Sequence, residues 1–313
     1  MLSDVFYTRY PQQHYRADGV SQPIQAFFTQ VGHVIFEDLC EELDLPRDIF
    51  TRAHRKLARE IGLGGLGPGK TDDEICGRLL FERYDLWDNR HGSTDHFIKV
   101  RISIIKLIFR ELEKHVATLN QTSKSQFFNN RKGVPVEQYR ESLSRATNEM
   151  NSRFSLAGFP LNYHNGYIQF KDEDIATQAV EDGFWDLLKE QKWKNVDNDI
   201  KESIDLRDNN KKDSSFYAFK ALESTIKIIS NEKGFSTGKE RGAANYIDNL
   251  VSKKNGRFLE VWEGNILKIL FSNIRNPHGH GAGSDPVPQL ESYQIDHSIE
   301  MVMSWIKSLL KRI

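Results

Sequence analysis

Apolar residues recur at three- and four-residue steps along most of this chain, which is the spacing of one face of an α-helix. In the first half this pattern covers residues 24–43, 97–112 and 136–154. In the second half it forms stripes at 219–229, 258–274 and 295–309. The pattern predicts a mainly α-helical protein, with a bundle of four or five helices in its second half.

The clearest β-strand signal surrounds residue 165. Phe159–His164 and Tyr167–Phe170 flank the dipeptide Asn165-Gly166. Both residues of this dipeptide tolerate the positive φ that a tight turn between antiparallel strands requires. The sequence therefore predicts a small β-hairpin at this point.

A chain of 313 residues is long for one hydrophobic core, so we expect two domains. The predicted domains are an N-terminal helical domain at 1–172, which carries the hairpin, and a C-terminal bundle at 173–313. An acidic connector at 171–178 marks the boundary. Within the bundle, residues 205–213 are polar enough to form a loop, and the two serines that follow offer an N-cap to the next helix.

Composition and charge exclude several classes of protein. The formal net charge is −1, so contact with RNA would depend on local patches. The cysteines, Cys40 and Cys76, are isolated from each other, which argues against a disulfide framework and a multi-cysteine metal site, and we expect no cofactor. Residues 1–19 lack a secretory pattern and charges interrupt 97–112, so we expect a cytoplasmic protein without a membrane span.

The most informative motif ends the apolar stripe at 258–274, where residues 274–283 read IRNPHGHGAG. Arginine keeps its charge at any accessible pH and can bind two phosphate oxygens at once. Histidine can move a proton near pH 7. Arg275 and His280 therefore suggest cleavage or binding of an RNA phosphodiester without a metal, and Asn276 could orient His280 or donate to phosphate.

The same residues also fit an ordinary helix C-terminus. Arg275 would then interact with the negative end of the helix dipole, and Pro277 would stop the helix before the glycines close it. Spacing alone does not separate this interpretation from the catalytic one.

The second half of the chain resembles a HEPN domain (higher eukaryotes and prokaryotes nucleotide-binding), a helical bundle with an arginine, a polar residue and a downstream histidine at a helix end. It is also similar to the C-terminal domain of bacterial abortive-infection proteins. In those proteins a helix that bears lysine and glutamate, here Ala221–Lys227, precedes the arginine helix and a loop rich in glycine and histidine. The first half resembles the N-terminal domain of AbiJ-like proteins, particularly in the Met150-Asn151 helix that leads into the hairpin.

This resemblance implies a metal-independent endoribonuclease toxin of phage defence, usually a homodimer through the C-terminal domain. Arg275 and His280 would be the catalytic pair, with Asn276 in support. Related proteins often place the histidine one or two positions later, where this chain has Gly281 and Ala282. His278 is also a candidate for the working base. The substrate would be tRNA or mRNA, and an antitoxin or a phage trigger would be a further partner.

Glu223 and Lys220 are candidates for a supporting role. Glu223 lies at helical spacing from Lys220 and Lys227, so a solvated ladder of charges on one helix face would explain all three residues. The alternative is that Glu223 holds Arg275 or the RNA substrate. In the first domain we find no catalytic group, and we expect that domain to recognise a trigger or substrate, or to restrain the second domain.

Residues 64–71, GGLGPGKT, match the P-loop pattern G-x-x-x-x-G-K-[ST]. A P-loop follows a buried strand and opens a helix, whereas residues 50–61 are charged and helix-periodic. We therefore expect a glycine-rich connector between helices. His14, His33 and His54 lack short ligand spacing, and for them we expect structural or surface roles instead of metal binding.

A non-catalytic function competes with the nuclease hypothesis. The same bundle could bind RNA or a nucleotide as a sensor, or pair with a partner protein. Cleavage of RNA in the absence of a divalent metal would favour the nuclease.

Overall fold

A computed structural model describes residues 5–12, 14–15, 19–43, 45–86, 93–121, 134–171, 183–211, 213–275 and 290–313. The chain divides into two compact units, Met1–Lys171 and Asp172–Ile313, and each unit has its own apolar core. This boundary and the boundary taken from the sequence differ by one residue. The protein is mainly helical with one small antiparallel hairpin, as predicted.

Unit 1 consists of helices followed by the hairpin. A π-helical segment, Val34–Leu39, joins its second and third helices. The helices and strands of unit 1 are α1 (Phe6–Arg9), α2 (Gln22–His33), α3 (Cys40–Glu42), α4 (Asp48–Glu60), α5 (Asp72–Phe81), α6 (Thr94–Gln121), α7 (Val136–Leu156), β1 (Leu161–His164) and β2 (Tyr167–Phe170).

Helix α6 is the centre of the unit 1 core, and every residue from 97 to 109 is buried. The charged residues that interrupt this run are buried as well. Lys99 donates to the carbonyl oxygen of Tyr10 at 2.7 Å and pairs with Asp95 at 2.9 Å. Burial lowers the pKa of Arg101 to about 9. Within the described ranges, no helix is both long and apolar enough to cross a membrane.

The hairpin has the predicted register and turn. Leu161 lies opposite Phe170, and Asn165 and Gly166 both have positive φ, at 42° and 82°. The side chain of Asn151 in α7 donates to the carbonyl of Tyr163 at 3.0 Å and accepts from its amide at 2.8 Å. These two bonds fasten β1 to α7.

Unit 2 is a helical bundle. Of its described helices, five have nine residues or more. Short 3₁₀ segments occur at Gln191–Trp193 and Lys253–Asn255, and a π-helical segment at Phe271–Arg275. The helices of unit 2 are α8 (Phe184–Leu187), α9 (Lys194–Asp208), α10 (Ser214–Glu232), α11 (Ala243–Val251), α12 (Val261–Leu270) and α13 (Ser292–Leu310).

The loop predicted at 205–213 is wrong for residues 205–208, which are helical. Ile200 and Ile204 are buried in the core of unit 2, and this packing keeps α9 helical through a polar stretch. The predicted serine N-cap is also wrong. Asp213 precedes α10, and Ser214 instead donates to the carbonyl of Ser203 at 2.7 Å, which joins α10 to α9.

Helix α12 turns most of its large apolar residues to the surface. Its buried positions include Gly264 and Leu267. A Cβ at Gly264 would lie 2.5 Å from Val251, so the small residue allows α12 and α11 to pack closely. The large side chains consequently lie on the exposed face, which comprises Val261, Trp262, Ile266 and Ile269.

Candidate functional site

Arg275 is the last residue of the π-helical segment Phe271–Arg275, which continues directly from α12. Phe271 in this segment is buried, and its ring makes an edge contact with Phe219 of α10 at 5.9 Å between centroids. This aromatic contact anchors the end of α12 on α10. It brings Arg275 beside the face of α10 that carries Glu223.

The Arg275 guanidinium contacts one carboxylate and one aromatic ring. Its Nη2 lies 3.2 Å from Oε2 of Glu223, and its Cζ lies 5.7 Å from the centre of the Phe216 ring. Its Nε is buried and has no hydrogen-bond partner among the described residues. The guanidinium is therefore held in place with part of its donor capacity unused.

Glu223 bridges two cations. Its Oε1 lies 2.7 Å from Nζ of Lys227, while its other oxygen contacts Arg275. The side chain of Glu223 is only 14% exposed, so it does not belong to a solvated ladder of charges. Two cations around one carboxylate leave a positive balance at this point of the surface.

Lys220 turns away from Glu223. Its Nζ lies 2.8 Å from Oδ1 of Asp199 in α9, and burial raises the pKa of that aspartate. Of the two contacts that a ladder through Lys220, Glu223 and Lys227 would contain, only the pair of Glu223 with Lys227 is present. Lys220 ties α10 to α9 instead of facing Arg275.

Asn276, His278 and His280 lie outside the described residues. The structure therefore brings together Arg275 and Glu223 from the set of candidate residues. It also adds Phe216, which the sequence analysis did not single out. Phe216 is seven residues before Glu223 in α10, and this spacing on one helix face is the signal that could have identified it.

This arrangement can bind a phosphate group. Guanidinium and ammonium donors lie next to each other at a partly exposed surface, and a single carboxylate orients both. An arginine restrained in this way stabilises negative charge without having to reorganise when the ligand arrives.

The P-loop match at 64–71 forms a connector between α4 and α5, as predicted. Its polar groups bond to neighbouring side chains: the Leu66 amide donates to Nε2 of His54 at 3.1 Å, and the Lys70 amide donates to Glu74 at 2.9 Å. Thr71 caps α5, whose first turn is acidic.

The acidic side chains oppose phosphate binding at this connector. They are Asp72, Asp73 and Glu74. Burial raises the pKa of Asp72, but hydrogen bonds from Thr51 and His54 outweigh burial and lower it overall, so Asp72 stays anionic. Two of the four glycines have structural explanations. Gly67 has a φ of 151°, and a Cβ at Gly69 would lie 2.5 Å from Ile75.

The three histidines considered as metal ligands have separate surroundings. His14 packs against Phe170, and burial lowers its pKa. His33 pairs with Glu37 at 2.6 Å, and His54 with Asp72 at 2.5 Å. Across the residues that the structure describes, no group of three or more His, Cys, Asp or Glu side chains could hold a metal ion.

Comparison of the chain with models of protein families, with curated proteins and with solved structures gives no match. Membership of the HEPN and abortive-infection families consequently stays a prediction from the motif.

Proposed function

We propose that this protein is a metal-independent endoribonuclease of the HEPN type and that Arg275 binds the scissile phosphate. The contact between Arg275 and Glu223 is the observation that supports this most strongly. It restrains the guanidinium at the surface, immediately before the segment that contains Asn276, His278 and His280. A simple helix cap would not require a second helix to supply a mostly buried carboxylate.

In the proposed reaction the 2′-oxygen of a ribose attacks the adjacent phosphorus and the bond from phosphorus to the 5′-oxygen breaks. His280, or His278, takes the 2′-proton, and a proton donor protonates the leaving 5′-oxygen. The products are a 2′,3′-cyclic phosphate and a free 5′-hydroxyl. Arg275 stabilises the charge on the non-bridging oxygens, an effect worth about 3–4 kcal/mol for a preorganised donor.

The exposed face of α12 supports a homodimer. Trp262 is 62% exposed and Ile269 is 56% exposed, and water contact with such large apolar side chains is unfavourable. Arg275 follows Ile269 by six residues, about 9 Å at helical rise. Two copies that pair through this face would therefore bring their Arg275 residues close to the interface.

In this proposal, unit 1 serves recognition or regulation, and the protein acts in the cytoplasm as a phage-defence toxin. An antitoxin or a phage component would then control when tRNA or mRNA is cut.

Incubation of purified protein with total RNA in excess EDTA tests the proposal. We expect cleavage products that end in 2′,3′-cyclic phosphate. These products should be lost in the variant that removes the base, which is His280→Ala or His278→Ala. In cells, expression of the wild type should stop growth while the inactive histidine variant should not.

Three outcomes would contradict the nuclease hypothesis. They are a requirement for Mg²⁺, equal cleavage by the wild type and both histidine variants, and binding of RNA without any cleavage. The last outcome would support the sensor hypothesis.

A further inference from the structure

A strongly basic segment of unit 2 extends the candidate site. Residues 233–257, here called the basic lobe, contain six Lys and Arg residues and two acidic residues, in a chain whose net charge is −1. The lobe comprises the whole connection between α10 and α11, then α11 and the 3₁₀ segment after it. Positive charge is therefore concentrated here and is not a property of the whole protein.

The acidic residues of the lobe are already engaged. The Glu240 carboxylate accepts hydrogen bonds from the Thr237 amide at 2.7 Å and from the Asn249 side chain at 2.7 Å. Asp248 pairs with Lys268 of α12 at 2.5 Å. Both carboxylates therefore contact groups other than the lobe's own lysines.

Several exposed cations of the lobe have no ion-pair partner among the described residues. They are Lys233, Lys239, Arg241, Lys253 and Lys254. Exposed cations in such numbers repel one another, and a polyanion that crosses them removes this repulsion and releases counterions.

Two aromatic rings lie against cations within the lobe or directly beside it. Nζ of Lys227 lies 5.8 Å from the centre of the Tyr246 ring, and Nζ of Lys233 lies 6.0 Å from that of Phe258. Both rings are half-buried, so each has an anchored edge and an accessible part. Cations interleaved with rings are the surface that single-stranded nucleic acids use, because phosphates meet the cations and bases stack on the rings.

The lobe is continuous with the candidate site. Lys227, which lies against Tyr246, also contacts Glu223, and Glu223 contacts Arg275. One series of contacts therefore runs from Arg275 to the first ring of the lobe.

We propose that the basic lobe binds the backbone of single-stranded RNA, with Tyr246 and Phe258 as stacking surfaces, and directs the strand to Arg275. This inference rests on the proposed function for the meaning of Arg275, although binding by the lobe is measurable without cleavage.

A binding experiment that cannot report cleavage tests the inference. The probe is a fluorescein-labelled 2′-O-methyl oligouridylate of about twelve nucleotides, within the range that one single-strand site covers. Its blocked 2′-oxygen cannot attack phosphorus. The full-length protein is titrated in EDTA at several salt concentrations, and fluorescence anisotropy gives Kd.

Two triple variants make the comparison. The lobe variant is Lys239→Gln, Lys253→Gln and Lys254→Gln; the control is Lys194→Gln, Lys211→Gln and Lys311→Gln, all three exposed positions of the same unit. Both variants remove three charges, and both should melt like the wild type. We expect the lobe variant to bind more weakly and to lower the slope of log Kd against log salt by about 2, at about 0.7 for each lost phosphate contact.

The outcomes are distinct. Equal salt slopes for the two triple variants, or no binding by the wild type, would overturn the assignment of the lobe even if RNA is cleaved. If poly-glutamate binds more tightly than an oligonucleotide of equal charge, the occupant of the lobe is an acidic protein. This result would also overturn the assignment of the lobe to RNA. If binding depends on the lobe but ordinary RNA is not cleaved, the RNA-binding role of the lobe is supported and the nuclease hypothesis is refuted.

Discussion

Two segments of this protein resemble phosphate-binding motifs, and their polar groups are used in opposite ways. In the connector at 64–71, backbone amides donate to His54 and Glu74, and an acidic helix start follows. Around Arg275, one carboxylate serves two cations and the arginine Nε has no partner in the described ranges. In the first segment, amides are occupied by side chains of the flanking helices, whereas in the second, two cations share a single carboxylate and keep an excess of positive charge for a ligand.

This contrast shows why a motif should be judged by its neighbours. The connector matches a longer and more specific pattern than the arginine motif does, yet its surroundings carry the wrong charge for phosphate. The arginine motif is short, but an aromatic contact and a carboxylate from a separate helix position it.

The largest expected difference between the two segments is in RNA cleavage. Arg275→Ala should lower the cleavage rate in EDTA by about 10²–10³-fold, because a preorganised donor to the phosphate is lost. Lys70→Ala, the matched variant of the connector, should leave the rate unchanged, and neither protein should hydrolyse ATP. Equal rates for Arg275→Ala and the wild type would remove Arg275 from the site.

A substitution at the connector should change the stability of the protein and not its RNA cleavage. His54→Ala leaves the buried Leu66 amide without its acceptor, so we expect the free energy of unfolding in urea to fall by about 2 kcal/mol, with no change in cleavage. His33→Ala removes an exposed pair and an edge contact with the Phe81 ring, and it should cost less, about 0.5 kcal/mol. A loss of cleavage in His54→Ala at full stability would mean that the connector has a function.

Glu223→Gln tests how the arginine is held. The variant loses the charge that restrains Arg275, so kcat should fall about tenfold, as for one charge-assisted hydrogen bond. KM should fall or stay constant, because a negative charge beside the phosphate is also removed. Glu232 lies in the same helix as Glu223 and makes an exposed pair with Lys192 of the 3₁₀ segment, so Glu232→Gln should change neither constant. A rise in KM at constant kcat would contradict the positioning role.

The smallest expected effect concerns the other end of α12, where Glu263 accepts two hydrogen bonds from Arg312, at 2.6 and 3.1 Å. These bonds lower the pKa of Glu263. The native state favours the anionic form of Glu263. The stabilisation from this carboxylate is therefore complete above its pKa in the unfolded protein and is lost as the pH falls through its lower pKa in the native protein.

Glu263→Gln should therefore destabilise the protein by about 1 kcal/mol near pH 7. The difference in free energy of unfolding from the wild type should shrink as the pH falls below about 5. Urea titrations between pH 3 and pH 7, approximately, measure this difference, and Asp248→Asn, at an exposed pair, serves as the control. A difference that does not vary with pH would show that Glu263 acts through packing alone.

Local signals were sufficient for most of the secondary structure. Apolar periodicity identified most of the long helices but neither α5 nor α11, and Asn165-Gly166 identified the hairpin because few other residue pairs adopt positive φ at both positions. The errors came from tertiary packing. Residues 205–208 are helical because Ile200 and Ile204 pack in a core, and Ser214 bonds to Ser203 of α9 instead of capping α10.

The candidate site was predictable only in part. Arg275 stood out by its chemistry and by its place at the end of an apolar stripe. Its contact with Glu223 spans 52 residues, and no local pattern specifies a contact of that range. The position of Lys220 depends on Asp199, a residue of another helix, so its separation from Glu223 could not be read from their spacing.

The π-helical geometry of Phe271–Arg275 has a consequence for the direction of the Arg275 side chain. A π-helical turn contains one residue more than an α-helical turn, and each α-helical residue rotates the side-chain direction by about 100°. An uninterrupted α-helix would therefore point Arg275 about a quarter of a turn away from its present direction. The direction of the guanidinium therefore depends on the type of helix as well as on the number of residues between Gly264 and Arg275, so a change that closed this turn to α-helical geometry at the same residue count would redirect it while every candidate catalytic side chain remained in the chain.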